Sequence, residues 1–465
     1  MFSLDVNIQL NMTSHVPGGS DNLGRYLQPD DVDSYDSLTL GDDDITSCVR
    51  DCVAGEARVC YYHFVFEEYQ VLNTACGNCP DNITDCFLPH CVTANGYPRA
   101  ILTANRQIPG PGIQVCLRDR IVVDVTNAMP DRETTVHWHG IFMRGQPYMD
   151  GVPYVTQCSI LEGQTFRYDF YANNAGTFLW HSHDGFQKMD GLAGNLVVRL
   201  AKSLDPNSHL YDYDLPSHVI LIVDWYYMQF GNDVPGFQAH DRTQGADSFL
   251  IGGRGRNKKS SKGKKSPLSV YRVSRGKRYR FRIIGGLCSE FPIRIKFEGH
   301  KMLLIATDGN PVKPLMVDTV VLEAGMRVDV VLDASQLVSS YWIRVQGLAH
   351  CAFLDVQQLA VLQYEGTTEA EPSTLPIKLP YLPQNKVFIP HGNHNHPFHL
   401  HGYSFALIEM GVLKNGSTME SVVEELKTRN FSQSKFPPLL DTIGIPNQGY
   451  AVIRFKADNP GKCQE

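Results

Sequence analysis

With 465 residues, 43% of them hydrophobic, the chain has material for two or three domains, each with its own core. A formal net charge of −7 leaves no basic footprint for nucleic acid. No apolar run approaches the roughly 18 residues that a membrane-spanning helix needs, so neither a nucleic-acid partner nor a membrane span is expected.

Residues 1–47 are acidic, with Asp30, Asp31, Asp33, Asp36, Asp42, Asp43 and Asp44, and can bury little; they read as a flexible tail. The start, Met1-Phe2-Ser3-Leu4-Asp5, has neither the basic residues nor the apolar centre of a secretory leader. Residues 48–92 point the other way. Seven of the twelve cysteines lie there, a density typical of disulfide-stapled extracellular segments. Cys76-Gly77-Asn78-Cys79 has the spacing of a redox or zinc half-site, but Cys86 and Cys91 beside it favour stapling. Sequons at Asn11, Asn82, Asn415 and Asn430 agree with secretion, and a leader is expected to be missing or different.

From 93 to 202 the pattern is β. Val115-Cys116-Leu117 and Ile121 to Val125 read as strands, with Arg118-Asp119-Arg120 turning between them. Thr165 to Phe170 alternates with period two, as a half-buried strand does. Short strands broken by Gly, Pro and Asn predict a Greek-key sandwich or barrel. Residues 203–365 repeat the style with Val219 to Trp225, Tyr279 to Ile284 and Arg327 to Leu332. The basic run from Arg254 to Lys265 reads as a solvated loop. A linker from Glu365 to Ser373 opens the last segment, 366–465. There Lys386 to Ile389 reads as a strand, Met419 to Thr428 as a brief helix and Tyr450 to Phe455 as a strand. The fold class is therefore all-β: two domains and a short third segment behind a Cys-rich N-terminal extension.

The chemistry-bearing residues are paired histidines: His137-Trp138-His139-Gly140, His181-Ser182-His183-Asp184-Gly185, and His396-Pro397-Phe398-His399-Leu400-His401-Gly402. Chance would give 17 His in 465 residues about 0.6 His-x-His triplets, whereas the chain has four, counting His394/His396. On a strand, residues i and i+2 share a face roughly 6.5–7 Å apart. That spacing suits two neighbouring metals taking one imidazole each. Three converging pairs would make a multi-metal site, with His394 a bystander. Imidazole serves copper, zinc, iron or nickel; the lack of His-Glu-x-x-His and of finger-like Cys/His spacing argues against zinc. Residues 203–365 hold no such pair and read as a metal-free spacer.

These three motifs resemble three of the four copper motifs of the multicopper oxidases. Thr134-Thr135-Val136-His137, Pro147 to Pro153, Val155 to Cys158, and the lead-in ending Pro89-His90-Cys91-Val92 look like laccases of the arthropod type, over roughly 48–465. The resemblance implies consecutive cupredoxin-like Greek-key domains, two complete and the third abridged, with copper as cofactor, and secretion. It implies oxidation of small phenolic substrates (diphenols or catechols) by dioxygen, which is reduced to water. It implies that His137 and His399 hold the type 2 copper, His139 and His181 one type 3 copper, and His183 and His401 the other. His396 matches a type 1 ligand, and Asp150 an acidic residue that moves protons. The fourth motif, His-Cys-His, is absent. In this chain His181 follows Gly176 by five residues, and the same step from Gly461 falls just past Glu465. Cys463 lies about four residues, or roughly 13 Å along a strand, short of the expected thiolate. The type 1 site is thus expected to be incomplete, and the chain alone inactive on phenols. The alternatives are a non-catalytic copper-binding or scaffold protein, or a ferroxidase or ascorbate oxidase.

Overall fold

The computed structural model describes residues 48–230, 245–257, 265–288, 291–348, 350–376, 395–412, 437–446 and 449–459, with positions 421, 424 and 428. The expected acidic tail, the strand at 386–389, His394, Cys463 and most of the helix at 419–428 lie outside the described residues.

The first unit uses β1 (Val59–Gln70), β2 (Ala100–Ala104), β3 (Ile113–Cys116), β4 (Arg120–Asn127), β5 (Val136–His139), β6 (Thr165–Tyr171), β7 (Gly176–Ser182) and β8 (Ala193–Arg199). They form two four-stranded sheets, β2-β1-β4-β6 and β3-β8-β7-β5. Period-two alternation in β6 buries Tyr168 and Phe170. These pack against Trp138, while Trp180 packs on Phe64 and Phe66. Strand β1 comes from the Cys-rich stretch, yet pairs with β4 from Val59↔Arg120 to Phe66↔Asn127. The boundary expected at 92/93 therefore cuts through a sheet: the extension supplies one of its strands because Phe64 and Phe66 face the same core. All seven of its cysteines are oxidised, as Cys48–Cys60, Cys52–Cys116, Cys76–Cys91 and Cys79–Cys86. Cys76 and Cys79 bond to different partners, which excludes a redox or zinc pair between them.

The second unit uses β9 (Val219–Trp225), β10 (Ser248–Ile251), β11 (Val270–Val273), β12 (Arg278–Gly285), β13 (Ile293–Phe297), β14 (Met302–Thr307), β15 (Asn310–Val317), β16 (Val320–Leu322), β17 (Arg327–Asp333), β18 (Ser340–Gly347) and β19 (Gln357–Tyr364). Sheets β10-β9-β12-β17-β14-β15 and β11-β19-β18-β13-β16 enclose a core that includes Phe249, Phe281, Phe297 and Ile343. The described start of the basic run is not a solvated loop. Arg254 lies over the Phe87 ring at 4.4 Å, and Arg256 bonds the Ser266 carbonyl and Glu371. Packing against the first unit gives Arg254 its partner, and Arg256 finds its own in the second unit and the segment that follows it.

The third unit uses β20 (Asn395–His399), β21 (Phe405–Val412), β22 (Leu439–Leu440), β23 (Thr442–Pro446) and β24 (Gly449–Arg454). Its described sheets are β20-β23 and β22-β21-β24, around the buried residues Phe405, Leu440 and Ile443. No described helix is long and apolar enough to cross a membrane.

Candidate metal centre

Strands β5 and β7 lie antiparallel with His137 opposite His181 and Trp138 opposite Trp180. The tryptophans point into the first core, so alternation sends the imidazoles to the other face. There they meet the end of β20, which brings His399 and His401. All six rings come together. His137 has the other five within 5.6 Å, centroid to centroid. His139 stacks on His399 at 3.6 Å and His137 on His401 at 3.9 Å. His183 completes the group, 5.4 Å from His401. His396 stands apart: it is exposed at the start of β20 and belongs to none of the converging nitrogen groups.

Each ring's outer nitrogen decides what its inner one can do. His137 Nδ1–H donates to the Asp150 carbonyl (2.9 Å), His181 Nδ1–H to the Ser182 carbonyl (2.8 Å) and His399 Nδ1–H to the Asp441 carbonyl (2.9 Å). His401 Nδ1–H donates to Asp150 Oδ2 at 2.7 Å. Those four rings present Nε2 inward. His139 is turned round: its Nε2 meets Thr442 Oγ1 at 3.0 Å, leaving Nδ1 inward. Burial pushes His137 and His183 down to about 4 and His139, His181 and His399 below the ordinary imidazole range, with neighbouring rings adding to the effect. Five of the six are therefore neutral at pH 7, the form that offers a lone pair to a metal.

Asp150 follows the single turn Pro147–Met149 and is 8% exposed, so it is no surface-turn residue. Burial opposes its charge, but His137 and His401 hold the carboxyl below the usual range. Its Oδ1 is buried without a hydrogen bond. Thr442 and Asp441 were not legible in advance. Thr442 Oγ1 touches His139 Nε2 and His399 Nδ1 (3.1 Å), and Asp441 Oδ1 lies 3.7 Å from the first of these nitrogens and 3.5 Å from the second. Leu439-Leu440-Asp441-Thr442 carries no spacing signal; only the pairing of His399 with Thr442 in β20–β23 brings them in.

His137 Nε2 and His399 Nε2 face each other at 3.4 Å. Two imidazoles on one ion, each at about 2 Å, place their nitrogens about 3 Å apart. Nitrogens of His137, His139 and His181, and of His137, His399 and His401, likewise gather within 4.8 Å. Sequence signatures described as multicopper oxidase match residues 89–203, 216–367 and 354–463. The chain belongs to the multicopper oxidase family. A laccase of Trametes villosa is 37% identical over 291 residues, covering 61% of this chain and 53% of that protein. One of Fomitopsis schrenkii is 39% identical over 308 residues, covering 63% and 55%. The chain thus spans about half the length of the curated relatives it matches. The crystal structure of laccase from Botrytis aclada has the same fold, with a TM-score of 0.69 at 23% identity, covering 88% of this chain and 85% of that one. The multicopper oxidase family implies copper, and the donors present fit it: neutral imidazoles with anchored outer nitrogens and inward lone pairs.

Proposed function

We propose that this protein is a laccase-type multicopper oxidase, coupling one-electron oxidation of diphenols or catechols to four-electron reduction of dioxygen to water. The observation that carries this reading is the convergence of six imidazoles from two units, five of them hydrogen-bonded at the outer nitrogen so that the inner one is left for a metal. In this reading His137 and His399 hold one copper, His139 and His181 a second, His183 and His401 a third, and His396 serves a separate electron-collecting site. Bound copper supplies the one-electron steps that link phenols to dioxygen. The chain's own residues orient the rings and handle protons. Asp150 grips His137 and His401 through its carbonyl and Oδ2, and its Oδ1, 3.3 Å from His137 Nδ1, keeps an ionised acceptor beside both rings on the proton route.

The disulfide-locked lead-in supports the finer reading of a secreted protein of the arthropod laccase type, because such bonds persist in oxidising compartments. Copper content read beside oxygen uptake on a catechol tests the proposal. His399→Ala should remove about one copper per chain and any catechol-driven uptake. Unchanged copper content in that variant sinks the proposed ligand set.

A further inference from the structure

The second unit carries no His-x-His pair, yet it reaches the metal centre through Gly325 and Arg327. Gly325 has φ +83°, and a Cβ there would lie 2.8 Å from His139 Cε1, so the turn before β17 packs against that ring. Arg327 is fully buried and uses its whole guanidinium. Nε donates to the Thr177 carbonyl of the first unit, 2.9 Å. Nη1 and Nη2 grip Asp441 Oδ1 and Oδ2 of the third unit, 2.6 Å each, and Nη1 also reaches the Gly325 carbonyl. Asp308 accepts the backbone N–H groups of Arg327, Asp441 and Thr442, which locks the same junction from behind.

The direction of the hydrogen bonds then follows by elimination. A carboxylate held by a guanidinium can only accept, so Thr442 Oγ1–H donates its single proton to Asp441 Oδ1, 2.8 Å. The hydroxyl's lone pairs are left for the rings. His139 must therefore bring its proton to Nε2, which leaves the Nδ1 lone pair facing inward.

We propose that Arg327 is a positioning residue for the metal centre: through Asp441 and Thr442 it determines which nitrogen of His139 faces the metal. The inference rests on the copper reading above and gives the metal-free unit a part in it. Reversing the hydroxyl would favour the other tautomer and turn the lone pair away.

The test is copper(II) titration of the full chain, followed by electron paramagnetic resonance, on the wild type and a set of variants. Arg327→Lys keeps the charge but loses the two-pronged grip; Thr442→Val keeps the shape but loses the hydroxyl. Each should weaken copper binding about 10- to 100-fold, the range typical of outer-ligand changes, and alter the copper(II) hyperfine pattern. Thr442→Ser should recover most of the affinity. The double variant should lose no more than the weaker single variant, because both act through one ring. Wild-type affinity in Thr442→Val overturns the proposal, as do losses that multiply in the double variant. Titrations run below the melting temperature of the metal-free variants, so a fall in stability alone does not mimic the effect. A wild-type chain that takes up no copper overturns the copper reading itself, an outcome distinct from variants that bind as the wild type does.

Discussion

Gly151 shows how tightly the backbone closes on the imidazoles. Its φ is +84°, and a Cβ there would stand 1.8 Å from the Val136 carbonyl oxygen. The absence of a side chain lets the 150–151 turn lie against β5, so that the Asp150 carbonyl meets His137. Gly151→Ala should lower stability by at least about 1 kcal/mol, read as an earlier urea midpoint; an unchanged midpoint would show that the turn has room. Protonation gives a second outcome at this scale. Burial sets His137 and His183 at about 4 when folded, against an ordinary value of 6.5. The unfolded chain binds the extra protons, so their effect on stability is neutral above about 6.5 and increasingly unfavourable as pH falls toward 4. The metal-free chain should thus melt at progressively lower temperature between pH 6.5 and 4; a flat profile across that window would contradict the burial. The paired histidines were readable because a strand's period is local. Thr442, 43 residues beyond His399, was not, because its role arises only from strand pairing.

At the scale of elements, β1 is held by covalent bonds as well as by its ladder. Cys52–Cys116 closes a span of 64 residues and Cys48–Cys60 one of 12. Loop-closure entropy assigns about 4 and about 3 kcal/mol to them. Cys52→Ser with Cys116→Ser should therefore lower the urea midpoint more than Cys48→Ser with Cys60→Ser; the reverse order would show that chain entropy does not govern this segment. Strand β12 shows what periodicity leaves open. Its alternation Arg278-Tyr279-Arg280-Phe281-Arg282-Ile283 marks two faces, and the apolar one enters the second core. The charged face is largely buried too. Arg280 meets Asp205 and Asp329, and Arg282 meets Asp214 and Asp329. Sequence placed those carboxylates nowhere in particular, and a buried arginine is tolerable only once they converge.

Across the whole molecule, the junction of the units is polar, and it adjoins the metal centre. Thr177 of β7 donates to Asp329 at 2.6 Å and accepts from Arg282 at 2.7 Å, while its carbonyl receives Arg327. Thr177→Val should cost about 1–3 kcal/mol, because buried partners lose a hydrogen bond they cannot replace with water. Two separate calorimetric transitions in that variant would show the first two units uncoupled; an unaltered single transition at the wild-type temperature would show that Thr177 is not a tie. The amino-acid order alone determined the all-β class, the placement of most strands, the stapling of 48–92 and the three imidazole pairs, since each depends on neighbours a few residues apart. Only the tertiary structure decided that the Cys-rich stretch supplies a strand to the first unit's sheet, that His139 is turned relative to the other anchored rings, and that the unit without copper motifs holds the centre through Arg327. Those facts depend on groups far apart in the chain, from Val59 and Arg120 in the first sheet to His139 and Thr442 at the centre, meeting in a dry interior where a charge or a ring proton must find its partner within the protein.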